Sequence, residues 1–253
     1  MPGFWRRYLD GNPEYLVRNY WWAYLSPAGV WFFSLHTIIH LILFGQYRTI
    51  LSALTARLER APSRRMLQLT CAYGELTPAL SAFTEELHLN DVATIQLRLA
   101  RSALSQRGRT AQMARMNAEY MAYATDSFDT LIIFFLLHEL PAAARQRALE
   151  EALRVLKPDG RLLLAEYGAN RGIHPLHRFL PLRWAMERLE PFLGDFWHSD
   201  LHGQLHQCAA RQEKSLRLAG ETAVFGGFYR VMEYHVAWQE SATTDISRVS
   251  AAK

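Results

Sequence analysis

Three groups of residues in this sequence have the types and spacing to do chemistry. The first is His138-Glu139, which follows the apolar run Thr130-Leu-Ile-Ile-Phe-Phe-Leu-Leu137 without a break, together with Glu166, which ends a second apolar run, Arg161-Leu-Leu-Leu-Ala-Glu166. Runs of this kind read as strands buried on both faces, and in sheets of such strands ligands bind just beyond the carboxyl ends. An imidazole and carboxylates placed there can move protons or hold a cation. The plainer alternative is that His138 and Glu139 cap the next helix while Glu166 pairs with an arginine. The second group centres on Asp91, 23 residues past Gln68, near the ~20-residue spacing at which an acid ending a second strand accepts ribose hydroxyls. Asp91 could equally be the N-cap of the following helix. The third is His198, His202 and His206, whose i, i+4 spacing can bind metal on one helix face but more often marks a polar or partly buried face.

These residues need elements to position them. Residues 1–62 read as a helical, aromatic-rich cap broken at Ser26-Pro27, with Trp21, Trp22, Tyr24, Trp31, Phe32 and Phe33 crowded together. From Arg64 short apolar strands alternate with helices. Strands are expected at Met66–Leu69, Leu89–Val92, Ala111–Met113, Thr130–Leu137 and Arg161–Glu166, and helices at Leu76–Leu87, Ile95–Gln106 and Ala142–Leu156, the last stopped by Pro158-Asp159-Gly160. Right-handed crossovers then give an α/β fold, a doubly wound, mostly parallel sheet. A helical insertion is expected at about 174–218, then a hairpin of Ala223–Phe225 and Arg230–Val236 that closes a domain spanning 63–239. Residues 240–253 are small and polar and read as a frayed tail.

Composition narrows the function. Of 253 residues half are hydrophobic, which excludes a disordered chain. A net charge of +4, spread along the chain, fits a membrane surface better than a nucleic-acid stripe. Two cysteines are too few for a disulfide framework, in keeping with the cytoplasm. The amino terminus lacks the pattern of a secretory signal. The most apolar window, Val30 to Phe44, has fifteen residues, short of the ~20 that span a bilayer. It reads as either a buried helix or an aromatic cap that grips a greasy substrate at the inner face of a membrane.

Taken in order, the segments Gln68-Leu-Thr-Cys-Ala-Tyr-Gly74, Asp91 to Arg101, Asn117 to Asp129, Leu137-His-Glu-Leu-Pro141 and Arg154-Val-Leu-Lys-Pro-Asp-Gly-Arg-Leu-Leu-Leu-Ala-Glu166 resemble the class I S-adenosylmethionine-dependent methyltransferase family. The resemblance implies cofactor contacts from Gln68, Thr70, Ala72, Tyr73, Gly74, Asp91 and Val92, with Asn117 and Ala118 at the adenine edge. The first loop departs from the family, whose pattern there is an acid followed by Gly-x-Gly-x-Gly; here Gln68, Thr70 and Ala72 stand before a lone Gly74.

A second resemblance covers residues 15 to about 238. Arg18-Asn-Tyr-Trp-Trp-Ala-Tyr-Leu25, Leu43-Phe-Gly-Gln-Tyr47 and above all Leu67-Gln-Leu-Thr-Cys-Ala-Tyr-Gly74 look like the rhodoquinone-biosynthesis branch related to ubiquinone methyltransferases. It implies conversion of ubiquinone to rhodoquinone, a ring methoxy group giving way to an amino group, with S-adenosylmethionine as nitrogen donor and manganese (Mn2+) required. In that chemistry an uncharged Gln68 would favour the free amine over the ammonium ion. The metal is expected on His138, Glu139 and Glu166, with His174 and His177 as further ligands. Tyr73, Tyr120 and Tyr123 are candidates for positioning or proton transfer, and His138 for catalysis. An ordinary quinone methyltransferase and a non-catalytic relative are the alternatives.

Overall fold

The computed structural model describes residues 10–71, 73–168 and 174–239. Ala72 and the tail expected at 240–253 lie outside the described residues. The cap is built of α1 (Glu14–Tyr20), a π-turn (Trp21–Leu25), α2 (Pro27–Ser34), α3 (His36–Ile42) and α4 (Tyr47–Arg60). The break at Ser26-Pro27 is a helix start: Ser26 Oγ accepts the Gly29 N–H at 3.0 Å and Pro27 occupies the first helical position. Among the described residues no single helix is long and apolar enough to cross a membrane.

One seven-stranded sheet follows, made of β1 (Ser63–Leu69), β2 (Thr84–Asp91), β3 (Gln112–Arg115), β4 (Phe128–Phe134), β5 (Leu156–Tyr167), β6 (Lys214–Val224) and β7 (Tyr229–Trp238), in the order β3-β2-β1-β4-β5-β7-β6. The first five strands pair in parallel, β7 runs antiparallel to β5, and β6 antiparallel to β7. The crossovers are α5 (Leu76–Leu80), α6 (Thr94–Ser105) and α7 (Ala142–Val155), and between β5 and β6 stand α8 (Pro175–Arg178), α9 (Leu180–Leu189), α10 (Leu193–His198) and α11 (Leu201–Ala210). The mixed α/β architecture with a helical amino-terminal cap is the one expected.

Three boundaries differ from the sequence reading. The expected helix from Leu76 ends at Leu80, because Thr84–Asn90 is captured by β1 in a register running from Ser63↔Thr84 to Leu69↔Asn90; strand pairing overrides the helix preference of Glu85-Glu86-Leu87. The helix from Ala142 ends at Val155 as expected, but the strand after it starts at Leu156 instead of Arg161, so that Pro158-Asp159-Gly160 sits inside β5, where Asp159 has φ 65° and the register with β4 shifts between Phe128 and Thr130. Residues 214–218 extend the closing hairpin instead of the helical insertion, their alternating burial being that of an edge strand.

The two loops that matter most leave their strands through strained backbone. Thr70 after β1 and Phe135 after β4 both have positive φ, at 65° and 52°, a conformation non-glycine residues hold only when their surroundings fix it. The second of these is held by Arg145 of α7. This fully buried guanidinium donates to Leu137 O at 2.9 Å, Leu140 O at 3.1 Å and Asp195 Oδ2 at 2.9 Å, and lies over the Phe196 ring. Arg145→Met leaves two carbonyls of that turn without a donor, so urea unfolding is expected to show a loss of about 3 kcal/mol.

Candidate active site

The sheet's carboxyl edge and the cap enclose a cavity of about 200 Å³, with mostly apolar walls. Of the residues expected to touch a cofactor, Thr70, Tyr73, Asp91, Val92, Asn117 and Ala118 line it. Asp91 is buried at the end of β2, where Oδ2 accepts the Cys71 N–H at 2.8 Å and Oδ1 the Ala93 N–H at 2.7 Å. Burial pushes its pKa up to about 6 in spite of those bonds. It thus serves as both loop anchor and buried acceptor. Asn117 is held by Glu119, whose N–H it accepts at 3.0 Å.

Gln68 and Gly74 stand elsewhere. The Gln68 carboxamide faces away from the cavity, accepting from Thr77 Oγ1 at 2.9 Å and donating to Thr70 O at 3.0 Å. It therefore pins the loop and does not meet a ligand. Gly74 belongs to a separate, polar recess. It has φ 88°, and a Cβ there would come within 2.6 Å of the Tyr47 hydroxyl, which accepts the Glu75 N–H at 2.6 Å. Glycine is required by that packing and not by a phosphate or sugar.

The tyrosines divide in the same way. Tyr73 lines the cavity, stacked on Tyr24 with centroids 5.7 Å apart. Its hydroxyl donates to Ala23 O at 2.6 Å and accepts from Gln96 Nε2 at 2.7 Å, and burial raises its pKa. That phenol positions and stacks; it is not free to exchange a proton. Tyr120 is 67% exposed, beside the Arg147 guanidinium, and Tyr123 packs edge-on against His88 and Phe128. Neither lines the cavity, because the chain after Ala118 turns outward across the sheet edge.

The acidic group forms around His138. Its Nδ1 is 2.9 Å from Glu166 Oε2, and Glu166 Oε1 accepts the Leu137 N–H at 2.6 Å. Glu166 is fully buried behind the imidazole and does not line the cavity. The expectation that it shares a cation with His138 is therefore corrected: it orients the ring, which is left with Nε2 to offer. Its place is taken by Glu190, just after α9. Ligand atoms of His138, Glu139 and Glu190 all lie within 4.8 Å of one another. Tyr24 donates to Glu139 Oε1, the Tyr20 hydroxyl faces Glu190, and Glu190 Oε2 is buried without a hydrogen-bond partner.

The electrostatics of this cluster are those of a site short of positive charge. Burial, then the neighbouring Glu190 carboxylate, pushes the Glu139 pKa upward; burial does the same to Glu190. Burial opposes protonation of His138, yet the Glu166 carboxylate outweighs it and raises the ring's pKa to about 9. A proton thus sits where a cation would sit. The donor set, one imidazole and two carboxylates with an orphaned oxygen, fits a divalent ion such as manganese. Sequence spacing could not have found Glu190, because the helical insertion separates it from β5. Tyr24 was visible only as one aromatic among several.

The remaining histidines lie apart. His198 ends α10, where its Nδ1 is 2.7 Å from Gly194 O, while His202 and His206 belong to α11; Ser199-Asp200 interrupts the expected stripe. His202 Nδ1 lies 3.2 Å from the Tyr234 hydroxyl. His174 and His177 pack among Phe225, Phe228 and Trp197 and do not line the cavity.

Because a proton competes with any hydroxyl donor for Asp91, S-adenosylmethionine affinity measured by calorimetry should be flat above about pH 6 and fall on acidification below it. Asp91→Asn should remove that pH dependence, and Asp91→Ala should weaken binding by ~1–3 kcal/mol.

Residues 66–160 match the family described as "Methyltransferase domain". The ubiquinone/menaquinone biosynthesis C-methyltransferase UbiE of Ectopseudomonas mendocina is 32% identical over 111 residues, 42% of this chain and 43% of that protein; the Vibrio vulnificus protein of the same name gives 32% over 111 residues, 42% of each chain. The matched segment thus spans less than half the length of these relatives. Among solved structures, N-methyltransferase NodS from Bradyrhizobium japonicum aligns with a TM-score of 0.55 at 15% identity, covering 75% of this chain and 96% of that one. The YcgJ protein from Bacillus subtilis gives 0.54 at 16%, covering 74% and 98%. Residues 66–160 are accordingly similar to a methyltransferase domain, and the chain shares the fold of these solved structures.

Proposed function

We propose that this protein converts ubiquinone to rhodoquinone, replacing a ring methoxy group by an amino group taken from S-adenosylmethionine, with a manganese ion on His138, Glu139 and Glu190. The observation that carries the reading is the buried acidic cluster beside an aromatic cavity. Methyl transfer from a sulfonium to carbon needs alignment and a base, and gains little from a cation site. Amine addition to a quinone would gain much from one, since a divalent ion would supply a Lewis acid for the ring carbonyl. In that reaction nitrogen bonds to the ring carbon as methoxide leaves, to depart as methanol. The Cα–H electron pair then passes to the quinone, and water hydrolyses the resulting imine, breaking Cα–N to give the aminoquinol and an α-keto acid.

The protein's own groups fit the remaining needs. Asp91 offers an acceptor to the ribose, and Asn117 and Ala118 border the adenine side. No carboxylate of the first loop faces the cavity, because position 68 is an amide turned into the loop; an amine nearby keeps its lone pair more readily. The stacked Tyr24 and Tyr73 present flat aromatic faces suited to a quinone ring. Glu166 and Tyr24 hold His138 and Glu139 in place.

A second reading, methyl transfer to a quinone, draws on the relatives named for C-methylation. Mass spectrometry of the quinone after incubation with S-adenosylmethionine and manganese separates the two. An amino group in place of methoxy, carrying label from the cofactor's α-nitrogen, is the expected product; an added methyl group would replace the first reading by the second. Glu190→Gln should raise the manganese concentration for half-maximal rate about tenfold or more while leaving S-adenosylmethionine affinity unchanged, and His202→Ala should alter neither. An unchanged manganese requirement in Glu190→Gln would remove the cluster from the mechanism.

A further inference from the structure

We propose that α9 is a second membrane-contacting element, which together with the cap seats the cavity mouth on an anionic phospholipid surface. Helix α9 has no buried residue, though it is rich in apolar side chains. Leu180 and Trp184 are each 69% exposed, one helical turn apart, and Phe179, just before them, is 58% exposed. A helix folded only against its own chain would turn these inward. The cap shows the same inversion: Trp31 is 66% and Leu41 73% exposed, whereas the neighbouring Phe33 lines the cavity and leans on Tyr73.

Both elements adjoin the cavity. Trp22 and Ile42 of the cap are exposed and also line the cavity, and α9 leads directly into Glu190, which lines it from the other side. Tyr15 and Tyr20 of α1 meet Phe192 just beyond α9, joining the two elements.

Charge selects the occupant. Between Tyr15 and Leu58 every charged residue is basic, Arg48 being exposed and Arg18 exposed but paired with Glu14 at the start of α1. Arg178, Arg183 and Arg188 lie in or beside α9, where Glu187 is paired with Arg183 at 2.9 Å and Glu190 is turned into the cavity. Exposed tryptophan flanked by arginine suits the headgroup boundary, where aromatic rings lie at the interface and basic groups meet anionic lipid. A protein partner would have no need of this excess of basic over acidic residues. For an enzyme of a quinone, which is the reading this surface deepens, such seating lets substrate pass from the bilayer into the cavity without crossing water.

The test is co-sedimentation of the full chain with vesicles of phosphatidylglycerol or of phosphatidylcholine. Wild type is expected on the former and to be released by salt, since each basic group contributes about fivefold to binding. A Phe179→Ser, Leu180→Ser, Trp184→Ser variant should lose at least about tenfold in vesicle affinity while keeping its melting temperature and its rate on a tail-less quinone analogue. Trp31→Ser with Leu41→Ser should lose a comparable amount, and Leu218→Ser, on the far edge strand, none. Vesicle affinity unchanged in the α9 variant would overturn the proposal. So would a wild-type dimer in gel filtration that the variant converts to monomer, which would make α9 a self-association face. Vesicle binding is read without turnover, so a failure of the amino-transfer reading leaves this result standing, and the reverse holds as well.

Discussion

Glu166 is the residue on which the site depends. A fully buried carboxylate on a central strand is costly unless each lone pair finds a donor. Here the donors are the Leu137 and Tyr167 N–H groups and the His138 ring, at 2.6, 3.2 and 2.9 Å. Those bonds fix the turn after β4 where Phe135 has positive φ, and fix which nitrogen His138 turns toward the cavity. Arg145 closes the same turn from the opposite side by taking its carbonyls. Strand, turn and ring are thus set by two buried charges that never touch a ligand.

The same logic explains which parts of the molecule were legible in the sequence. The parallel sheet could be read because buried strands such as Thr130–Phe134 are apolar on both faces, and because Asp91 and His138 stand at strand ends by chain order alone. What could not be read arises from contacts distant in sequence. Glu85-Glu86-Leu87 carries helical preference but is recruited by β1. Lys214–Leu218 becomes strand because β7 lies beside it. Gln68 and Gly74 sit in the right segment, yet Thr77 and Tyr47 claim them for packing. Spacing can say that a residue belongs to a loop, but the direction of its side chain depends on neighbours elsewhere in the chain.

Glu190 and Tyr24 show the limit most clearly. Neither belongs to the methyltransferase segment, residues 66–160. One comes from the insertion after β5 and the other from the cap, and they meet only because both elements fold over the carboxyl edge of the sheet. The parts of the chain outside the matched segment are therefore what distinguish this site from the bare scaffold, a fold that hosts many chemistries.

The cap also changes the electrostatics beneath it. In water, carboxylates at the separation of Glu139 and Glu190 repel weakly. Covered by Tyr20, Tyr24 and the aromatic walls, they lose solvation as well as distance, and burial is the leading cause of the upward shift in both. Such a pair remains charged only if positive charge enters with it, as the proton on His138 does here and as a divalent ion would do more fully. The apolar cover and the upward shift of the two carboxylates are consequently one design: the aromatic residues that exclude water from the cavity make the two bare carboxylates unstable. The cap's aromatic residues therefore act on the chemistry through the dielectric they impose, as well as through the surface they offer.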